Sequence, residues 1–285
     1  EQIAETDFPD DWSNLLPELV QTIKDAKTSG DLGRLCGGME TAHAVFKRFR
    51  HQGLSKELKY VVMNFSEVHL EVYTFICQNM MTAQGEQLKQ YCALLVSTCQ
   101  VFYTLNVVDL PEFFEDNMEK YFTGFLTFLK YNNNDLSGVA DDTPGALEDL
   151  KGAICDNLSL YAEKYSEEFE KYVPDCVKAV WELLTALDHR EKNDYVVASG
   201  IHFLGCAVST KWVNNPFDEP SVLPLICEKI ILPNIRLRES DTELFTDNPQ
   251  EYIRRDIEGA DQDTRRRSSI DFVKNLGRFY LERTT

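Results

Sequence analysis

The sequence predicts an all-α fold, a stack of antiparallel helix pairs in which each pair packs on its neighbours. Three observations predict it. Apolar residues recur at spacings of three and four along ten segments; short polar or glycine-bearing breaks separate those segments; and the first segments of successive pairs begin at a near-regular interval. The period-2 alternation of a half-buried strand is essentially absent.

The first pair, residues 12–50, consists of Trp12–Ala26 and Leu32–Arg50. In its second segment Leu35, Met39, Ala42, Val45, Phe46 and Phe49 mark one buried helix face. Gly30-Asp31 supplies the stop of one helix and the N-cap of the next. The second pair, 57–106, places Glu57–Met81 and Glu86–Leu105 on either side of Gly85. The third, 111–165, opens with Pro111 at a first-turn position, where a missing N–H costs nothing, runs to Tyr131, and is partnered by Ala146–Tyr165. Glu167–Leu187 and Tyr195–Ser209 make the fourth pair, 167–210; Ser221–Leu237 and Arg265–Glu282 make the fifth, 221–282. The starts near 12, 57, 111, 167 and 221 give a period of about 45 and then about 55 residues. HEAT-type pairs run roughly 40–47 residues, so the excess is expected as insertions. The fold class is therefore an α-solenoid of about five HEAT-like pairs, with residues 1–285 as a single array. Pro17, Pro174, Pro224 and Pro233 fall within first helices and predict kinks there.

Two insertions stand out. Residues 132–145 are polar and acidic and are expected to be mobile. Residues 238–264, inside the last pair, carry the turn signal Asp247-Asn248-Pro249 and then the charged run Glu251-Tyr252-Ile253-Arg254-Arg255-Asp256-Ile257-Glu258. Insertions in a repeat array usually lie on one face and often serve binding.

Of 285 residues 43% are apolar, enough for a large interior. The formal charge of −18, from 47 acidic and 29 basic side chains, repels phosphate backbones and disfavours nucleic acid, while it attracts basic proteins. A plain acidic surface that keeps a chain soluble has the same composition. Nine of the thirteen arginines lie between Arg236 and Arg283, so nearly all the negative charge sits on residues 1–235. The eight cysteines form no CxxC pair and fall mostly on apolar helix faces, as Cys92 and Cys99 do, the pattern of free thiols in a reducing compartment. Asn64-Phe65-Ser66 and Asn157-Leu158-Ser159 spell glycosylation acceptors inside helical patterns and are read as chance. No apolar run approaches the roughly 18 residues that span a bilayer, and no leader pattern is present, so cytosol or nucleus is expected, without membrane insertion. The opening Glu1-Gln2-Ile3 and the stop at Thr284-Thr285 read as an excised segment of a longer array, whose apolar flanks would make it self-associate.

Chemistry is sparse. Glu40 and His43 have a one-face metal spacing, but a bundle metal site needs a second such motif, and His43 is read as an interface residue. HExxH, a phosphate-binding glycine loop and a GxSxG elbow are missing, and Asp10-Asp11 and Asp141-Asp142 read as loop or cap acids. No catalytic residue, metal or cofactor is assigned, and an enzyme is not expected. Arg265-Arg266-Arg267 before Ser268-Ser269 can be a nucleic-acid patch, a basophilic kinase site, or one side of an ordered charge ladder. We favour the ladder, with Arg254, Arg255, Arg265, Arg266 and Arg267 facing Asp256, Glu258, Asp261 and Asp263, as a partner-binding or hinge element.

Several stretches resemble a known family: Leu110-Pro111-Glu112-Phe113-Phe114-Glu115-Asp116-Asn117-Met118, Ile154-Cys155-Asp156-Asn157, Tyr161-Ala162-Glu163-Lys164-Tyr165, Ile226-Cys227-Glu228-Lys229, Leu232-Pro233-Asn234 and, above all, the run from Glu251 to Gly259 with Asp263-Thr264-Arg265-Arg266-Arg267. They are similar to the CAS exportin branch of the importin-β, or karyopherin, superfamily, and the similarity extends from Phe8-Pro9 and Trp12 to the last helix. The resemblance implies a segment of a nuclear export receptor that binds importin-α together with Ran-GTP and shuttles between nucleus and cytoplasm. It implies the third or fourth through the eighth repeat, without the N-terminal repeats that make much of the Ran contact, and a late insertion acting as hinge or contact element. Ser268-Ser269 departs from the small apolar residues expected there. The competing expectation is a passive HEAT scaffold in a multiprotein assembly, indifferent to nucleotide.

Overall fold

The computed structural model describes residues 8–9, 12–255 and 264–280. Among these the regular structure is helical. The chain divides into two compact units, Glu1–Phe125 with Asn133–Leu136, and Leu126–Asn132 with Ser137–Thr285.

In the first unit α1 (Leu15–Ser29) and α2 (Leu32–Phe46) form an antiparallel hairpin, and α3 (Lys56–Asn79) and α4 (Gly85–Asn106) form the next. The pairs stack first helix on first and second on second, α1 against α3 and α2 against α4. Turn chemistry fixes the first hairpin. Gly30 ends α1 in the left-handed region (φ 72°), and the Asp31 carboxylate accepts the Arg34 N–H at 3.0 Å to cap α2. Ser55 caps α3 in the same way through the Leu58 N–H. Pro111 is the N-cap residue of the short turn Glu112–Asp116, one position before the expected first turn, and α5 (Met118–Lys130) starts anew beyond Asn117.

The core of this unit is aromatic. Tyr121 lies within 4.5–5.8 Å, ring to ring, of Phe102, Tyr73, Phe114 and His69. His69 is fully buried: Nδ1 lies 2.8 Å from the Tyr121 hydroxyl and Nε2 2.9 Å from the Thr98 carbonyl. Since a carbonyl only accepts, the Nε2–H donates to Thr98 and Nδ1 accepts from Tyr121. Burial pushes the imidazole down to about 4 against a small opposing pull from the Thr98 carbonyl, so it is neutral. Tyr73 donates to the Tyr121 carbonyl at 2.8 Å across a helix contact that only Gly124 permits; a β-carbon there would stand 2.1 Å from the Tyr73 hydroxyl.

In the second unit α6 (Ala146–Lys164), α8 (Asp194–Val208) and α13 (Arg265–Phe279) pack side by side, α8 touching both others, and α7 (Val173–Ala186) packs on α8. Gly152 lets α8 close onto α6, because a β-carbon would meet the Tyr195 ring at 2.4 Å. The outer segment is α9 (Val222–Ile226), a π-helical turn (Cys227–Ile231) and α10 (Leu232–Ile235), followed by α11 (Glu239–Asp247) and α12 (Pro249–Ile253) in the late insertion.

Three of the four prolines correct the expectation of kinks. Pro17 lies in the first turn of α1, and Pro174 opens α7 after a 3-10 turn at Glu170–Tyr172. Pro233 follows the π turn, which accommodates the ring against the preceding carbonyls. Pro17, Pro174 and Pro224 thus fall in first turns, whereas Pro233 lies inside the continuous helical run 222–235, directly after its π turn, where a bend has a physical cause.

The first insertion is tied to α6 at Ser137, Gly138 and Gly145, while residues 139–144 between them are exposed. The Glu148 carboxylate accepts from the Ser137 hydroxyl (2.5 Å) and the backbone N–H groups of Gly138 (3.0 Å) and Gly145 (2.8 Å). Burial opposes its charge, but these donors outweigh burial and hold the carboxyl below its usual range.

Candidate functional site

The late insertion and the start of α13 concentrate arginines on one side of the second unit. Asp194, the first residue of α8, takes Arg238 in a fork: Nη1 and Nη2 donate to its two oxygens, each at 2.8 Å. Arg265 reaches the same carboxylate at 2.7 Å. The Arg265 side chain is 6% exposed and also donates to the Asn234 side chain (3.4 Å) and the Arg190 carbonyl (3.1 Å). Burial and the adjacent Arg238 push its pKa down while Asp194 opposes them, yet guanidinium basicity keeps it charged. For Arg238 burial also works against the charge, but bonds to Asp194 and Asp241 outweigh it and the pKa rises.

Asp241 is the second anchor. One of its oxygens accepts the Arg238 backbone N–H at 2.8 Å, capping α11, and the Arg266 guanidinium at 2.7 Å. Arg266 also donates to the Tyr252 hydroxyl at 2.7 Å and lies 5.8 Å from that ring's centroid, while Phe245 meets the ring edge-on at 5.4 Å. Two carboxylates thus hold three arginines, and α11 and α12 pack against the root of α13 through Arg266.

The predicted site residues separate into three groups. Arg265 and Arg266 lie in this cluster, with Arg267 beside them on the first turn of α13, where its N–H donates to the capping Thr264 hydroxyl at 3.2 Å. Arg254 and Arg255 are exposed, and Arg254 bonds Glu251 on its own turn at 2.9 and 3.0 Å. Asp256, Glu258, Asp261 and Asp263 lie outside the described residues. Among the described residues Asp194 and Asp241 meet Arg238, Arg265 and Arg266, and Glu251 meets Arg254; the sequence reading singled out neither Asp194 nor Asp241. The signals were present, since Asp194 opens an apolar helix where the dipole favours an acid, and Arg238-x-x-Asp241 has the spacing of a cap.

Ser268 and Ser269 are 4% and 0% exposed, and the Ser269 hydroxyl donates to the Arg265 carbonyl at 2.7 Å. They fill small interior positions, and the kinase motif they complete is closed in this fold. Among the described residues no group of three His, Cys, Asp or Glu side chains is placed to hold a metal, and no helix is long and apolar enough to cross a membrane. Glu40 is exposed and His43 half-buried.

A sequence profile of the Cse1 family matches residues 45–284, a span that takes in most of both units and the whole arginine cluster. The chain belongs to the Cse1 family. Among its Cse1-family relatives, Exportin-2 of Xenopus laevis is 41% identical over 291 residues, covering 98% of this chain and 29% of that protein. The Importin-alpha re-exporter of Schizosaccharomyces pombe is 39% identical over 282 residues, covering 96% and 28%. A solved structure described as the exportin Cse1 in its cargo-free, cytoplasmic state superposes with a TM-score of 0.91 at 32% identity, over 99% of this chain and 31% of that one. The chain therefore spans about 29% of the length of the Exportin-2 relatives. The Cse1 fold is an α-solenoid of HEAT-like helix pairs, and the family is one of transport receptors rather than enzymes.

Proposed function

We propose that this chain is a segment of a nuclear export receptor that carries importin-α out of the nucleus in a complex dependent on Ran-GTP, and that the whole receptor shuttles between nucleus and cytoplasm. The observation that supports this reading is the 39–41% identity to Exportin-2 and to the Importin-alpha re-exporter over nearly the entire chain. The excess of acidic side chains over residues 1–235 suits a basic cargo segment, to which it lends on-rate and specificity.

Within that receptor the arginine cluster serves as a hinge or contact element, with Arg254 and Arg255 exposed to a partner and Arg265 and Arg266 tied inward to Asp194 and Asp241. Residues 1–285 form one array in this reading, with the insertion 238–264 inside its last pair. The isolated segment self-associates through apolar positions such as Ile270, Val273 and Phe279 on α13, which are 39–44% exposed. Pull-down of importin-α by the full-length receptor tests the functional reading. Capture with Ran-GTP and release with Ran-GDP is expected; capture indifferent to nucleotide would instead indicate a passive scaffold.

A further inference from the structure

The two insertions, separated in sequence by more than 90 residues, are fastened to the same short stretch, residues 188–194, which is the connector between α7 and α8 together with the first residue of α8. On one side Lys192, 6% exposed, extends its ammonium to the Gly138 carbonyl (2.7 Å) and the Ser137 hydroxyl (3.2 Å). Its backbone N–H donates to the Asp141 carbonyl at 2.9 Å, and Arg190 pairs with the Asp141 carboxylate at 3.2 Å. Ser137 passes the contact on to Glu148 at 2.5 Å. On the other side the Arg190 carbonyl accepts from Arg265, and Asp194 holds Arg265 and Arg238. Internally the connector is braced by Asp188, whose carboxylate accepts from the Arg190 backbone and guanidinium (3.1 and 2.7 Å) and from Asn193 (2.8 Å). Asn193 is 2% exposed.

The geometry points to the 188–194 connector as a mechanical coupling that makes the two insertions a single responding element: loosening either one releases the other. The physical reason lies in where the charges sit. Lys192 and Arg265 are both nearly enclosed, so neither can leave its partners without carrying an uncompensated charge through the interior. A shift of Arg238 and Arg265 therefore drags Asp194 and the Arg190 carbonyl with it, and Lys192 follows because it lies between them in the chain. Contiguity alone does not establish coupling; the equilibrium of one end has to move when the other is perturbed, and the effect must be reciprocal. The inference stands apart from the transport reading, since it concerns opening equilibria of the protein without a partner.

Hydrogen exchange on the full-length receptor tests it. Arg238→Lys keeps the charge and loses the two-pronged contact with Asp194. The expected result is exchange several-fold faster at the Lys192 amide and at amides of 137–145, with α1 and α3 unchanged. From the other end, Glu148→Gln is expected to speed exchange several-fold in α11 and α12. Glu251→Gln, which cuts only the exposed pair with Arg254, is expected to leave 137–145 untouched. If Arg238→Lys speeds exchange only within residues 238–255, the coupling is overturned. Should Glu148→Gln unfold the second unit outright, the Arg238→Lys result decides alone.

Discussion

Arg238 lays two guanidinium nitrogens on the two oxygens of Asp194, each at 2.8 Å, across 44 residues of sequence. Both side chains are less than a third exposed, and Arg265 shares the same carboxylate. Asp194→Ala leaves the buried Arg265 against a carbonyl and an amide and leaves Arg238 with Asp241. It is expected to destabilise the chain by about 3 kcal/mol, the usual cost of breaking a buried pair from one side. Denaturant unfolding followed by circular dichroism measures it; a loss below about 1 kcal/mol would mean that water replaces the carboxylate at little cost.

Arg254 and Arg255 should behave in the opposite way. They are exposed, and solvent screening leaves the Arg254–Glu251 pair little weight in stability. Reversing both to Glu is expected to leave helix content and unfolding midpoint nearly unchanged while weakening the Ran-GTP-dependent complex with importin-α in the full-length receptor. Solution scattering of the same variant reports any change in dimensions. A variant indistinguishable from wild type in both complex and dimensions would leave these arginines as solvated surface only.

His69 makes stability depend on acid. Its folded pKa of about 4 lies below the ordinary 6.5, so between those values the unfolded chain binds more protons than the folded one. Its contribution is therefore complete above pH 6.5 and is lost as pH falls toward 4, by about 3 kcal/mol in total. Glu148, whose pKa is lowered from 4.5, adds its loss from about that pH downward, so most of the His69 window lies above it. Subtracting the stability profile of His69→Gln from that of wild type between pH 4 and 7 should isolate the imidazole; a flat difference would show that the site is hydrated.

Two glycines in helices predict opposite signs. Gly37→Ala meets nothing within 4 Å and should stabilise α2 by roughly 0.5–1 kcal/mol through helix propensity. Gly124→Ala drives a methyl to 2.1 Å from the Tyr73 hydroxyl and should cost about 1–3 kcal/mol despite the same propensity gain. Thermal unfolding of both variants in one buffer ranks them, and equal midpoints would refute the close contact.

Phosphorylation at Ser268 or Ser269 is expected to require unfolding of α13. Incubation of the folded chain with a basophilic kinase should leave both unmodified, while a peptide spanning 262–272 is a substrate. Efficient labelling of the folded chain would show that the α13 start opens readily.

The local layer of this protein was legible in its sequence because its signals are local. Gly30-Asp31 announces a left-handed stop and a cap, and Leu35, Met39 and Ala42 announce a buried face, since spacing along a helix and direction in space are the same thing at that range. What the sequence left open was everything that depends on which strangers meet. Acidic composition made 132–145 look mobile, whereas Glu148 from α6 and Lys192 from the connector before α8 hold Ser137 and Gly138. Proximity along the chain offered insertion acids as partners for Arg265 and Arg266, and those acids lie outside the described residues; it did not offer Asp194 and Asp241, which the described helices bring to these two arginines. Charge pairs in an interior are selected by which carboxylate is desolvated within reach once α6, α8 and α13 pack side by side. No one-dimensional spacing carries that information, and only the packing of the helices supplies it.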